Sequence, residues 1–396
     1  MPSEPAAIAS AALPITRPSF GREEVAAVEK VLDSGWVTQG PMTAEFERAF
    51  AGRHGVAHAL ATTSCTAALH MSVLALGIGP GDEVVVPAFT WVTSAHCAEY
   101  AGARAVFCDI DPTTFNLDPA ALDAAVTPRT RAVIAVHLFG LAADLDAVRH
   151  TARCHGLAVV EDAACAVGSE YGGQPVGSLG DLGCFSFHPR KVITTGEGGM
   201  VTTQQDDLAE RIAALRNHGA RRQRAAVSAQ PYHMGSFDFL GFNLRLSDIQ
   251  SAIGLCQLAK LEALLQHRRS CARGYAERLK SLSWVRLPQE PPGYRHTYQS
   301  YVIWVRTEAP ASRNKIMEHL AAQGVQTRPG TMAVHQTNYY RQKYALQPEQ
   351  FPWAKAAEEQ TITLPIFPGM QGADLDRVAA ALRCVERLPA SVRRTG

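Results

Sequence analysis

From about Gly55 to Thr203 the chain alternates short β-rich apolar runs with stretches of helical length, and this alternation restricts the fold more than any other feature. Glu83–Val86, Ala105–Cys108, Ala132–Val136 and Leu157–Val160 carry almost no interior polar residue. A strand with one wet face alternates in polarity, whereas these runs predict strands covered on both faces, which means a mostly parallel sheet between two layers of helices. Ser64–Leu76 is a predicted helix with Leu69, Val73 and Leu76 on one face. A longer one opens at Ser247-Asp248-Ile249-Gln250, a capping-box pattern, with Ile249, Ile253 and Cys256 expected to form its apolar face.

Beyond about Leu265 the pattern changes. The run Tyr301–Val305 reads as a strand, mixed with helices and with a Pro- and aromatic-rich stretch reaching Pro368. The reading is a large α/β domain over 1–264, with an N-terminal arm of about residues 1–20, and a smaller α+β C-terminal domain over 265–396. A chain of 396 residues is long enough for two cores.

Charge removes several classes of function. Lys and Arg number 38 against 37 Asp and Glu, so no basic surplus draws the chain to nucleic acid or anionic lipid. The charge-poor stretch Val84–Ala98 contains Pro87 and falls short of the roughly 20 apolar residues of a membrane helix. Met1–Phe20 lacks the basic start and apolar run of a secretory signal. Nine cysteines without a Cys-x-x-Cys pair argue against zinc, and no metal is expected. Reduced thiols in a cytoplasm are the plainer reading.

In open α/β sheets ligands sit beyond the carboxyl ends of the strands. There Leu157–Val160 runs into Glu161-Asp162. An acid at that position has three readings: a ribose- or magnesium-binding carboxylate, a helix N-cap, or a partner for a ring nitrogen. A dinucleotide site also needs a glycine-rich turn after an early strand, and Gly77-Ile78-Gly79-Pro80-Gly81-Asp82 precedes a strand instead. On spacing alone the acid stays ambiguous. The second signal is Ser186-Phe187-His188-Pro189-Arg190-Lys191, followed by Thr194-Thr195-Gly196-Glu197-Gly198-Gly199. It delivers one lysine into a loop of small and apolar residues whose glycines allow close backbone approach. A lysine that is partly buried beside another cation has the lowered pKa an imine-forming amine requires.

The runs Ala61–Leu69, Glu161–Ala164, Phe185–Lys191, Thr194–Gly199, Arg216–Gly219 and Gly241–Arg245, taken in order, closely resemble the sugar aminotransferases of the DegT/DnrJ/EryC1/StrS family. The resemblance implies fold type I, the aspartate aminotransferase-like fold, with pyridoxal 5'-phosphate as cofactor and a homodimer whose active sites lie at the subunit interface. It implies that Lys191 holds the cofactor as a Schiff base and then moves the proton between Cα and C4′. Asp162 pairs with the pyridinium nitrogen. The phosphate lies at the start of the Ser64 helix, against the N–H groups of Cys65, Thr66 and Ala67, with Ser186 adding a hydroxyl and Asn243 reaching in from the second subunit. Trp91 stacks on the ring; without the resemblance, a core tryptophan at a helix start serves nearly as well.

Three positions depart from the family pattern. Cys65 stands where glycine is frequent, Cys165 where Gln or His is common near the ring hydroxyl, and Val192 where Asn often follows the lysine. His188, Tyr301 and His335 are the expected substrate-side residues, although a structural hydrogen bond serves His188 equally well. A branch that dehydrates sugars replaces the lysine with histidine, and Lys191 argues against it.

The expected reaction moves an amino group from L-glutamate or L-glutamine to the keto group of a nucleotide-linked deoxysugar, as in amino sugar biosynthesis. A keto-cyclitol acceptor of the scyllo-inosose type is the alternative within the same chemistry. A non-catalytic cofactor-binding sensor is the alternative outside it, and the presence of both Lys191 and Asp162 opposes that. A nucleotide-dependent dehydrogenase lacks its glycine fingerprint.

Overall fold

The computed structural model describes residues 12–220 and 236–387. The outer parts of the expected arm and of the C-terminal domain lie outside these residues. Seven strands form the main sheet: β1 (His58–Thr62), β2 (Glu83–Pro87), β3 (Arg104–Cys108), β4 (Thr130–Val136), β5 (Ala158–Asp162), β6 (Leu182–Ser186) and β7 (Gly199–Thr203). Their order is β1-β7-β6-β5-β4-β2-β3. Six run the same way and only β7 is reversed, antiparallel to both β1 and β6. The expected strands are present within a residue or two.

Side chains of successive strand residues leave on opposite faces, and both faces are dry. Two helices, α1 (Arg22–Ser34) and α2 (Pro41–His54), precede β1. Val84, Val86, Ala132, Ile134 and Val160 enter one core beneath α3 (Cys65–Ala75) and α4 (Thr93–Tyr100). Val85, Val133, Ala135 and Val159 enter another, beneath α5 (Leu145–His155). The near-continuous apolar runs follow directly from this double burial.

The helix predicted from the capping box is α6 (Asp248–Leu279), 32 residues long. The Ser247 hydroxyl accepts from the Gln250 N–H, and the Gln250 side chain answers to the Ser247 N–H. Its first residue, Asp248, also caps another helix, Pro41–His54, taking the N–H groups of Gly40, Met42 and Thr43 at 2.7–3.0 Å. Ile249, Ile253 and Cys256 share one face and are half-buried, and the fully covered side runs through Asp248, Ser251, Ala252 and Gln257. Small and polar residues serve there because helices pack closely on that side.

One unbroken helix crosses the expected boundary at 264/265. Leu261, Leu264 and Leu265 pack with Phe46 and Phe185 below the main sheet. Cys271, Ala272, Tyr275 and Leu279 pack in a separate C-terminal core. The C-terminal core is built on an antiparallel sheet of β8 (Val285–Arg286), β9 (Tyr301–Val305) and β10 (Thr361–Leu364). The inner end of the arm belongs to this core as well: Leu13 is buried in it and exchanges backbone hydrogen bonds with Gly324 and Gln326. Among the described residues no helix is long and apolar enough to cross a membrane.

Candidate active site

The two acids at the end of β5 part company because neighbours in a strand face opposite ways. Glu161 turns into the protein and is fully buried. Its Oε2 accepts from His137 Nε2 (2.9 Å) and the Gly177 N–H (2.6 Å), and its Oε1 from the N–H groups of Leu179 (2.8 Å) and Gly180 (2.6 Å). His137 Nδ1 accepts the Ala143 N–H, so the ring proton sits on Nε2 and points at the carboxylate. Burial would raise the Glu161 carboxyl, but the His137 hydrogen bond, with the Gly177 and Gly180 amides, outweighs it and holds it below its ordinary 4.5. Glu161 is a structural knot.

Asp162 faces the other way, toward α3 and α4, and is 4% exposed. Ser94 Oγ donates to Oδ2 at 2.7 Å and the Ala164 N–H to Oδ1 at 3.2 Å. With its proton committed to Asp162, Ser94 must accept from Thr90 Oγ1 at 3.0 Å. A chain of two buried hydroxyls therefore fixes the carboxylate plane. Cys65 Sγ lies 4.0 Å from Oδ1. Burial, then the Asp162 charge, lifts this thiol well above its ordinary 9.0, so it stays protonated.

Ser64 caps α3 by accepting the Ala67 N–H at 3.1 Å. The first turn, Cys65 and Thr66, leaves backbone N–H groups without helical partners, and the helix dipole adds positive potential. Gly199, the first residue of β7, lies against this turn. A Cβ there would meet Ser64 C and O and Cys65 N at 2.5–2.7 Å. The glycine serves strand-to-helix contact here rather than approach to a ligand.

Lys191 stands on the loop between β6 and β7. The loop is pinned by Phe187 N–H to Gly198 O, Lys191 N–H to His188 O, and Thr194 Oγ1 to Phe187 O (2.9, 2.9 and 2.7 Å). From the C-terminal core, Gln299 Nε2 donates to Arg190 O at 2.8 Å. Lys191 Nζ lies 3.1 Å from Cys165 Sγ. Ser186 is buried at the end of β6, its hydroxyl 3.4 Å from the His188 N–H. His188 Nδ1 accepts the Arg190 N–H at 3.2 Å, which makes it a turn cap. Burial is the main reason its pKa lies below 6.5; Glu197 pulls it back, and Arg190, Lys191 and Arg328 push it down.

Other expected residues fall less centrally. Trp91 is 55% exposed at the start of α4, which excludes the core tryptophan. Asn243 is exposed, on a segment that pairs with Asn217 and lies beside the approach to Ser64 through Thr63 N–H to Leu244 O. Tyr301 is corrected: it sits in the C-terminal core, 1% exposed against Tyr275, because both faces of β9 are covered. His335 is corrected likewise, buried against Phe351 with Nε2 3.3 Å from Pro348 O. Ser94 and Arg328 were not anticipated. A serine in an Ala-rich helix carries no pattern, and the turn Thr327-Arg328-Pro329 lies far from every motif.

Comparison with known proteins decides what the lysine, the acid and the helix start belong to. The profile of the DegT/DnrJ/EryC1/StrS aminotransferase family matches residues 18–383. The chain belongs to this family. It is 40% identical over 370 residues to the GDP-perosamine synthase of Caulobacter vibrioides, covering 93% of this chain and 96% of that protein. Among solved structures, the putative sugar aminotransferase Spr1654 from Streptococcus pneumoniae, in its PMP form, superposes with a TM-score of 0.89 at 28% identity, covering 94% and 99% of the two chains. DesV of S. venezuelae, in complex with a ketimine intermediate, gives 0.87 at 34% identity, covering 96% and 100%. The protein is thus a fold type I enzyme of the transaminase type, and the family's cofactor is pyridoxal phosphate.

The residues present fit that cofactor. A buried carboxylate held by two donors suits a protonated ring nitrogen. The open first turn of α3 suits a phosphate. Among the described residues Lys191 makes no ion pair with a carboxylate, which leaves its amine available.

Proposed function

We propose that this enzyme transfers an amino group from L-glutamate or L-glutamine to the keto group of a nucleotide-linked deoxysugar, as a cytoplasmic homodimer with shared active sites. The observation that carries the reading is the meeting of Lys191, Cys65 and a Ser94-braced Asp162 at the carboxyl ends of β5 and β6, in a chain 40% identical to a GDP-perosamine synthase along nearly its whole length. Bound there, pyridoxal phosphate supplies a reactive aldehyde and an electron sink that no side chain offers.

The protein's own groups do the rest. Lys191 Nζ would hold the cofactor's aldehyde carbon, and its amine is the base that would take the proton from the substrate's Cα. Asp162 keeps the ring nitrogen protonated, its orientation set by Ser94 and the Ala164 N–H. Ser64, Ser186 and the Cys65 and Thr66 amides would hold the phosphate, and Trp91 would cover the ring. Cys165, beside Lys191, would face the ring hydroxyl. Asn243 of the partner subunit completes the phosphate site. The dimer is supported by large apolar side chains exposed on the single chain, among them Trp36, Val37 and Leu240, and by the half-buried Ile249 and Ile253.

The test is a half-reaction. Purified enzyme loaded with the cofactor should absorb beyond the aromatic range, and this band should shift on adding glutamate or glutamine. A panel of nucleotide-linked keto sugars and keto-cyclitols, with products identified by mass spectrometry, then names the acceptor. No spectral change with any donor refutes the reading; amination of cyclitols alone replaces the acceptor class.

A further inference from the structure

The fold sets the amine of Lys191 against a thiol, Nζ donating to Cys165 Sγ at 3.1 Å. The backbone is held on both sides of this contact. Cys165 lies in the tight turn that follows β5, closed by the Ala166 N–H on Ala163 O at 2.9 Å and by the Ala164 N–H on Asp162 Oδ1 at 3.2 Å. Lys191 lies in the hairpin loop, its own N–H on His188 O at 2.9 Å. Both residues are half-buried, so a small solute can reach the sulfur. The neighbouring thiols differ. Cys65 faces Asp162, and Cys184 faces Ser72 Oγ at 3.3 Å. Both are buried, and burial above all pushes them well above 9.0, so they stay in the protonated form that reacts poorly with oxidants. Of these three thiols Cys165 is the one both reachable and in contact with a nucleophile.

We propose that Cys165 and Lys191 are a peroxide-responsive pair, in which oxidation of the sulfur joins it to the lysine nitrogen and closes the amine to the cofactor. In the first step the Cys165 thiol gives two electrons to hydrogen peroxide. The S–H and O–O bonds break, an S–O bond forms, and the products are a sulfenic acid and water. In the second step the lone pair of Lys191 Nζ attacks that sulfur. The S–N bond forms and the S–O bond breaks, and hydroxide leaves with a proton from the nitrogen as a second water. One thiol, one amine and one peroxide thus become a sulfenamide and two waters. Closure by nitrogen competes with further oxidation to the sulfinic acid, which is irreversible. A nucleophile already in contact has the advantage of a high effective concentration. A thiol reductant reverses the link by attacking sulfur and releasing the amine. The pair thereby spares the lysine of a chain that has not yet taken up cofactor. A nitrogen already joined to the cofactor is closed to the sulfur. This protection rests on the role proposed above for Lys191, whereas the link itself needs only the contact.

The test treats the cofactor-free full chain with hydrogen peroxide, then alkylates, digests and weighs the peptides. The peptides of Cys165 and Lys191 should appear joined, lighter than their sum by two hydrogens. Uptake of pyridoxal phosphate, read from its absorption band, should be lost in proportion to the link. Dithiothreitol should remove the link and restore uptake. Cys165→Ser should form no link and keep, after peroxide, the uptake it had before; Cys165→Ala carries this arm if the serine variant does not fold. Chain loaded with pyridoxal phosphate beforehand should be protected. A Cys165 that stays reduced, passes to the sulfinic acid without the link, or pairs with Cys65 in a disulfide overturns the proposal. A link that forms equally fast in the loaded chain leaves the pair standing and overturns the assignment of Lys191 to the cofactor, so the two failures are distinguishable.

Discussion

Glu161 and Asp162 are adjacent, of like charge and both buried, yet their replacement by the matching amide should have opposite consequences. Glu161→Gln puts an amide into a site built of four donors. Whichever way the amide turns, its oxygen can serve one pair, His137 Nε2–H with the Gly177 N–H or the Leu179 and Gly180 N–H groups. The amide NH₂ then confronts the other pair, donor against donor. His137 cannot relieve this by moving its proton, because Nδ1 would then confront the Ala143 N–H. Two buried donors lose their acceptor at about 1–3 kcal/mol each, so a loss on the order of 3 kcal/mol is expected from a total of about 5–15. Asp162→Asn keeps an oxygen for Ser94 and loses only the longer Ala164 N–H contact, so it should stay folded while the half-reaction slows sharply.

The pH dependence supplies a second reading of the same site. The folded Glu161 carboxyl lies below its ordinary 4.5, so its contribution is fully present above pH 4.5 and is lost as pH falls through the lower folded value. Wild-type stability should therefore fall away below about pH 4.5, and Glu161→Gln should show a flatter curve there. Denaturant melts followed by circular dichroism, with the half-reaction followed by absorbance, decide the matter. A Glu161→Gln midpoint indistinguishable from wild type would refute the account of the knot.

Gly199→Ala should destabilise the fold and weaken cofactor retention together, since its Cβ would lie 2.5–2.7 Å from the Ser64–Cys65 backbone; a melt and a cofactor titration measure both. Tyr301→Phe should leave turnover unchanged and stability equal or slightly higher, because the buried hydroxyl has no partner to lose; a fall in turnover would return Tyr301 to the substrate side. Asn243→Ala should leave a folded protein that loses cofactor more readily on dialysis, and light scattering should find wild type and variant dimeric. A monomer of full activity contradicts the shared site.

The strands were legible because double burial removes the polar residues that would otherwise interrupt them, α3 because Leu69, Val73 and Leu76 recur at helical spacing, and α6 because Ser247 and Gln250 form a capping box. Less legible was whatever depends on side chains far apart in sequence. Ser94 is 68 positions from Asp162, and Cys165 is 26 from Lys191. Tyr301 looked available because tyrosine carries a polar tip, but strand β9 is covered on both faces and the tip is buried with the ring. The boundary at 264/265 followed a change in composition, whereas helical periodicity runs on through it from one core to the other. Ile249 and Ile253 are the apolar residues of α6's first turns, yet the tightest packing there falls on serine, alanine and glycine.

The reversed direction of β7 governs how freely this enzyme can change length. A strand parallel to β6 would have to be reached by a crossover long enough to traverse the sheet, and such excursions absorb added residues on the surface at little expense. Because β7 returns beside β6, the segment carrying Lys191 closes within residues 187–198 between two strands already hydrogen-bonded to each other. Residues 192–195, next to the lysine, are buried, so a residue added among them has no surface loop in which to hide. It must either displace the lysine from Cys165 and the Asp162 side of the cleft, or slide Gly199 off the start of α3. Length variation is therefore accommodated in the crossovers of the parallel strands, while the hairpin bearing the lysine keeps a fixed count.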